Sequence, residues 1–170
     1  MNSPRKAAAG FTLIEVLVAL FILAFGLLGM AGLQMKALKY NHDAYLRSQA
    51  TLLANDIIDR MRVNQAGVTG GNYNNQAVSD SPPNCFGSTA NCTSIEMAAY
   101  DLAAWNAAIA AQLPDGEGAV CIDSTPTPPT PPIPPDCDGT GTVYAITISW
   151  SEREANTDAV VKSFVTSFEP

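Results

Sequence analysis

The architecture of this chain follows from one segment, Gly10-Phe11-Thr12-Leu13-Ile14-Glu15-Val16, which opens an apolar run that reaches Leu33. The run, residues 11–33, has about 23 residues, enough to cross the hydrocarbon core of a bilayer as a helix. Glu15 is the only charged residue inside it. Because a carboxylate within a membrane span is costly unless it finds a partner, Glu15 marks a functional position.

Two basic residues, Arg5 and Lys6, precede the run and form a short positive leader. A positive leader followed by an apolar segment also describes an ordinary secretory signal. A retained anchor is favoured because the run is long enough to span a bilayer and no A-x-A-like cleavage site follows it. The positive-inside tendency predicts that the leader stays cytoplasmic and the rest of the chain lies outside the inner membrane, although Lys36 and Lys39 weaken this argument.

Gly10, Phe11 and Glu15 together resemble the signal of type IV prepilins. The resemblance implies that residues 1–10 are a leader, which a prepilin peptidase removes by cutting between Gly10 and Phe11. It also implies N-methylation of the new amino group of Phe11 and a role for Glu15 in assembly. Attraction between this carboxylate and a neighbouring subunit's amine would offset much of the desolvation of both charges. The alternative is that Glu15 only extends to the membrane interface.

Residues 11–63 contain no proline and predict one long helix. Residues 11–33 would be its transmembrane and assembly part, and residues 34–64 its amphipathic second half. The predicted apolar stripe of the second half comprises Leu38, Tyr45, Leu52, Leu53, Ile57 and Met61. Within the transmembrane part, Gly26, Gly29 and Gly32 indicate either close packing between helices or local softening of the helix.

Residues 65–170 predict a periplasmic head. The segment 65–94 is rich in Asn, Gly, Ser, Thr and Pro and predicts a loop. Thr93-Ser94-Ile95-Glu96 has the form of a helix capping box. Leu102, Trp105, Ile109 and Leu113 follow at spacings of three and four residues. This pattern predicts a helix over 95–112.

The end of the chain has the composition of a small sheet. Residues 143–150 and 159–168 are rich in β-branched and aromatic residues, and residues 119–122 form a shorter piece of the same kind. We expect two neighbouring antiparallel strands with a third beside them. The predicted fold class is therefore α+β, a long N-terminal helix packed against a small C-terminal antiparallel sheet.

The chain has four cysteines, Cys85, Cys92, Cys121 and Cys137, and an even number in an exported domain indicates an oxidising compartment. Four cysteines allow three pairings. The pairs Cys85–Cys92 and Cys121–Cys137 are favoured because each closes one loop, the second containing the proline-rich residues 125–135. That proline-rich loop could also be a recognition segment. Zinc binding is disfavoured, because the cysteines form no C-x-x-C pattern and the sole histidine, His42, lies far from them in the sequence.

Charge and motif content exclude several classes of function. The chain carries 16 Asp and Glu against 9 Lys and Arg, which argues against a nucleic-acid partner. Asp136-Cys137-Asp138-Gly139 has only the start of a calcium loop, so we expect a solvated turn. His42 has no accompanying nucleophile, and Asp101 is expected to be solvated or capping. We therefore expect no cofactor, no metal and no enzymatic activity.

Two longer segments, residues 27–34 and 56–64, resemble the PilV family of type IV pilus minor pilins, also called type IV pilus modification proteins. Residues 113–116 and 146–150 are similar to that family, though less specifically. The resemblance implies a minor pilin that acts in pilus initiation or at the filament tip, in twitching motility and adhesion. Its implied partners are other minor pilins, the major pilin and a tip-associated adhesin. The alternatives are an I-type minor pseudopilin of type II secretion and an uncut, membrane-anchored binding domain.

Overall fold

The computed structural model describes residues 10–79, 81–87, 91–125, 137–153 and 159–170. The chain divides into two units, residues 1–42 and residues 43–170. Arg5 and Lys6 of the expected leader and nearly all of the proline-rich loop 125–135 lie outside the described residues.

The first helix, α1, extends over Leu13–Val63, as the absence of proline predicts. Its N-terminal part has the length and the apolar composition needed to cross a membrane. Every large apolar side chain from Phe11 to Leu33 is exposed, with Phe11 at 82% and Leu33 at 71%. No residue of this most apolar stretch is buried by the described part of the chain.

In the second unit, α1 buries one side against the head. The buried residues are Leu46, Ala50, Leu53, Ala54, Ile57, Ile58 and Met61. The predicted stripe was therefore wrong in its first half, since Leu38, Tyr45 and Leu52 are exposed. The side of α1 that is buried against the head instead includes Ala50 and Ala54. Their small side chains let neighbouring elements approach the helix closely, which a search for large apolar residues does not detect.

Two further helices follow. α2, Gln65–Thr69, is a short helix where a loop was predicted, and the Asn64 side chain caps it by accepting from the Gly67 N–H. α3, Ser94–Gln112, matches the predicted helix and begins with the predicted capping box of Thr93 and Glu96. The side chains that form its predicted stripe are all buried: Leu102, Trp105, Ile109 and Leu113.

The sheet has three antiparallel strands in the order β1–β2–β3: β1 is Glu117–Ile122, β2 is Tyr144–Arg153 and β3 is Ala159–Phe168. The face that carries Ile146, Ile148 and Trp150 joins the core, together with Val120 of β1 and Phe164 of β3. Trp105 of α3 and Ile57 of α1 belong to the same core and are completely buried. The predicted α+β architecture is confirmed.

Disulfide bonds join the cysteines in the two favoured pairs. The Cα atoms are 5.6 Å apart in Cys85–Cys92 and 6.1 Å apart in Cys121–Cys137. The first bond holds a short loop beside α3, and the second ties the segment before β2 to β1. Each bond limits the freedom of an irregular segment in the unfolded chain.

Candidate functional site: the N-terminal segment and the helix junction

The Gly10–Phe11 peptide lies just outside regular structure. Residues 10–12 are not helical, and α1 begins at Leu13. The carbonyl oxygen of Thr12 accepts the first helical hydrogen bonds, from the N–H groups of Glu15 (3.1 Å) and Val16 (3.3 Å). Gly10 and Phe11 are both exposed. A peptidase that binds an extended substrate could therefore reach this bond without unwinding the helix.

Glu15 lies in the first turn of α1 and is exposed. A negative side chain at this place interacts favourably with the positive end of the helix dipole. Val18, three residues further on and therefore beside Glu15 on the helix surface, is apolar and 48% exposed. Among the described residues, no side chain forms a hydrogen bond or ion pair with this carboxylate.

The glycines of the apolar helix have open space around them. Apart from its chain neighbours and the nearby backbone of α1 itself, a methyl group added at Gly26, Gly29 or Gly32 would meet no atom of the described residues within 4 Å. Packing inside the subunit therefore does not require glycine at these positions. Small residues at such positions give a surface that another helix can approach closely in a membrane.

A second polar cluster lies in the head, where α1, α2 and α3 meet; we call it the helix junction and define it by Arg60, Asn64, Tyr73 and Asp101. The Tyr73 hydroxyl donates to Asp101 Oδ2 at 2.7 Å, and Asn64 Nδ2 donates to the Tyr73 oxygen at 3.1 Å. Arg60 donates from Nη1 to Asp101 Oδ1 at 3.5 Å, and from Nε to Asp56 at 2.9 Å. The junction links the end of α1 to α3.

The expectation for Asp101 was wrong. Asp101 is 6% exposed, so it is neither solvated nor a cap. A buried carboxylate needs partners, and here the Tyr73 hydroxyl and the Arg60 guanidinium supply them. The helical pattern around Leu102 and Trp105 placed Asp101 on α3. No local signal identified Tyr73, 28 residues away, as its partner.

The junction shifts the pKa of two of its members. Burial and the hydrogen bond to Asp101 raise the pKa of Tyr73, so its hydroxyl stays protonated and acts as a donor. Partial burial alone would lower the pKa of Arg60, but hydrogen bonds and attraction from Asp56 and Asp101 raise it overall. Both groups therefore hold fixed protonation states, which suits a structural role.

Beside the junction lies a groove of about 680 Å³ between the end of α1, α3 and the Cys85–Cys92 loop. Phe86 of the loop is 74% exposed, and its ring lies 5.5 Å from the ring of Tyr100. The groove places apolar and acidic side chains side by side. Asp56 and Asp59 of α1 and Met97 of α3 are among its described lining residues.

The remaining sequence candidates have structural explanations. Asp138 accepts hydrogen bonds from the N–H groups of Ser124 and Thr140 and from the Ser124 hydroxyl. These hydrogen bonds lower the pKa of Asp138 to about 2, and the bond from the Ser124 hydroxyl has the largest effect. The Asp138 carboxylate therefore stabilises a turn. His42 is exposed. Within the described ranges, no three His, Cys, Asp or Glu side chains come together as metal ligands would.

Comparison with known families gives two matches. A family described as the prokaryotic N-terminal methylation motif matches residues 5–31, and a family described as type IV pilin Tt1218 matches residues 32–103. The two matches adjoin. Together they cover the whole of α1, all of α2 and the first part of α3. Neither a protein of curated function nor a solved structure gives a match.

Proposed function

The chain belongs to the type IV pilin-like family, and from this premise we propose that it is a minor pilin of the PilV type. In this proposal it is incorporated at or near the tip of a type IV pilus and helps to initiate filament assembly. The family is structural, not catalytic. The N-methylation motif implies processing by a prepilin peptidase and assembly with other pilins.

The observation that carries the proposal is the exposure of the N-terminal part of α1. No residue of its most apolar stretch is buried by the described part of the subunit. An apolar surface of this size is stable in water only when something covers it. Lipid can cover it before assembly, and the helices of neighbouring subunits can cover it in a filament. The same helix thus suits a membrane-anchored subunit that later joins a pilus.

Glu15 and Phe11 supply the polar contact of this assembly. After the Gly10–Phe11 bond is cut, Phe11 carries a new α-amino group close to the start of α1. In an apolar bundle, a carboxylate without a partner is strongly disfavoured, and pairing with the amine of a neighbouring subunit removes that cost. The carboxylate and the amine can pair only when they lie at the same height along the filament axis. The pairing therefore sets the axial register between parallel helices.

Mass spectrometry of the N-terminal peptide tests processing and assembly together. Sheared surface filaments and the membrane fraction are analysed separately. Filaments that contain the chain with N-methylated Phe11 as its first residue support the proposal. A chain that keeps Arg5 and Lys6 and is confined to membranes contradicts it, and would favour an uncut, membrane-anchored binding domain.

Glu15 variants test the register contact. Glu15→Ala should still be cut, because the carboxylate is not at the scissile bond, but its amount in filaments should fall at least tenfold. Glu15→Asp should recover part of it. Asp59→Ala, which removes an exposed carboxylate from the same helix, serves as the control and should incorporate normally. Normal incorporation of Glu15→Ala would rule out the assembly role.

Deletion of the coding region distinguishes the two filament systems. A minor pilin of a type IV pilus predicts loss of surface pili and of twitching motility while enzyme secretion continues. The second candidate, an I-type minor pseudopilin of type II secretion, predicts the reverse result. The N-terminal methylation motif by itself is compatible with either system.

A further inference from the structure

Two lysines follow the apolar part of α1 directly. Lys36 and Lys39 are both exposed, and neither forms an ion pair with any residue that the structure describes. Tyr40, next to Lys39 in the sequence, is 69% exposed. The positive-inside tendency accounts for the basic leader but not for two lysines at the opposite end of the span. These three residues therefore need another explanation.

The helix places the three side chains on one face, and we call them the interfacial cluster. Residues three and four apart on an α-helix are surface neighbours, so Lys36 lies beside both Lys39 and Tyr40. Like charges at this spacing repel each other. The sequence has no acidic residue between Glu15 and Asp43 to offset that repulsion. An anion bound between the two ammonium groups would remove it.

The length of the apolar helix puts the interfacial cluster at the level of the lipid headgroups. At about 1.5 Å per residue, the helical stretch from Leu13 to Leu33 is about 30 Å long, which matches the thickness of the hydrocarbon core. The headgroup layer adds about 5–8 Å on each side. Lys36 lies about 5 Å beyond Leu33, and Lys39 lies about 9 Å beyond it. Because helical side chains tilt towards the N-terminus, both ammonium groups reach back into this layer.

We propose that the interfacial cluster binds the phosphate groups of anionic phospholipids, in the leaflet at the C-terminal end of the span. This inference rests on the membrane anchor of the proposed function, but it depends neither on cleavage nor on pilus assembly. The two ammonium groups would bind the phosphate. The ring of Tyr40 would pack at headgroup level, as tyrosines at membrane interfaces do.

Local charge selects the class of lipid. Lys36 and Lys39 are the only Lys, Arg, Asp or Glu residues in the segment 16–42, so this stretch of the chain is purely basic. A zwitterionic headgroup carries its own cation beside the phosphate, which the lysines would repel. An anionic headgroup supplies net negative charge without that cation, and each lysine near such a surface adds to the attraction.

Spin-labelled lipids test the proposal with the full chain reconstituted into phosphatidylcholine vesicles. The probes are spin-labelled phosphatidylglycerol and spin-labelled phosphatidylcholine in trace amounts, and the measurement is the fraction of each label that the protein immobilises. We expect the protein to favour the phosphatidylglycerol label by about threefold. The preference should disappear at about 1 M salt, where the Debye length is about 3 Å. Equal immobilisation of both labels at low salt would overturn the proposal.

Paired variants locate the site within the chain. The double variant Lys36→Gln/Lys39→Gln should lower the preference for phosphatidylglycerol by about twofold, and Lys36→Arg/Lys39→Arg should keep it. The matched control is Arg62→Gln/Arg153→Gln, which removes two positive charges from exposed positions in the head and should keep the wild-type preference. An unchanged preference in Lys36→Gln/Lys39→Gln would assign it to other basic residues, such as those of the leader, and would overturn the proposal.

Flotation of the same vesicles distinguishes a failure of this inference from a failure of the proposed function. A chain that floats with the vesicles but immobilises both lipids equally contradicts only the lipid contact. A chain that does not float lacks the membrane anchor and contradicts both. Loss of Lys36→Gln/Lys39→Gln from filaments, with an unchanged lipid preference, would assign the lysines to a contact with a neighbouring subunit and would overturn the lipid as their partner.

Discussion

The hydroxyl of Tyr73 donates a 2.7 Å hydrogen bond to Oδ2 of Asp101, across 28 residues of sequence. Tyr73 is completely buried and Asp101 is 6% exposed. The bond connects the turn after α2 to α3, and Arg60 and Asn64 connect the same pair to α1. A polar contact therefore fixes the position at which the long helix meets the rest of the head.

Tyr73→Phe should lower the free energy of unfolding of the head by about 1–3 kcal/mol. The change leaves a buried carboxylate oxygen without its donor, and an unsatisfied buried acceptor costs about that much. Guanidinium unfolding in detergent micelles measures it through tryptophan fluorescence, because both tryptophans, Trp105 and Trp150, lie in the head. Tyr100→Phe is the matched control and should change stability by less than about 0.5 kcal/mol.

The capping box of α3 predicts a pH dependence. Hydrogen bonds from the backbone N–H and then the hydroxyl of Thr93 lower the pKa of Glu96. The pKa of Glu96 in the folded protein lies below its value of about 4.3 in the unfolded chain. Ionised Glu96 therefore stabilises the folded protein at pH values above about 4.3. This stabilisation is lost as the pH falls through the lowered folded pKa. Glu96→Gln should therefore show a smaller loss of stability between pH 6 and pH 3 than the wild type.

Thermal unfolding of the two proteins at several pH values between 6 and 3 measures this difference. Glu169→Gln removes an exposed carboxylate at the end of β3 and should keep the wild-type profile. Identical profiles for Glu96→Gln and the wild type would show that the capping box contributes nothing to acid sensitivity.

Gly118→Ala should destabilise the head by about 1–3 kcal/mol, as overpacking of a core does. A methyl group at Gly118 would lie 2.6 Å from ring carbons of Trp105, so α3 and β1 would have to separate. Gly32→Ala is the control, because a methyl group there meets no atom within 4 Å. Equal stability of both variants in guanidinium unfolding would show that the contact between α3 and β1 adapts freely.

Gly29→Leu tests the glycines of the apolar helix. Since a Cβ added at Gly29 meets no described residue outside its own stretch of helix, the variant should fold and be processed normally. If another helix packs there in the filament, a large side chain should reduce the amount incorporated severalfold. Leu28→Met, at a neighbouring exposed position, conserves volume and should assemble normally. Immunoblots of sheared filaments give the ratio, and normal assembly of Gly29→Leu would place the glycines outside any helix contact.

Local sequence patterns predicted most of the elements correctly. The capping box and the four apolar residues of α3 depend on contacts within a few turns, and both were predicted correctly. Three of the six residues predicted for the apolar stripe of α1 are exposed, and Ala50 and Ala54 are buried instead. Their burial depends on which elements pack against the helix. Small side chains carry almost no periodic signal, even where they form the closest contacts.

The sequence by itself determined the N-terminal segment: Gly10, Phe11, Glu15 and the apolar run are contiguous, and their chemistry needs no fold to be recognised. It also determined which residues form the long helix and the strands, since helical and extended periodicity are local properties. Only the tertiary structure decided that Asp101 is buried against Tyr73 and that the side chains of Asn74 and Asn106 bind the outward N–H groups of β1. These features join residues far apart in the chain, and their partners are set by how the elements pack together.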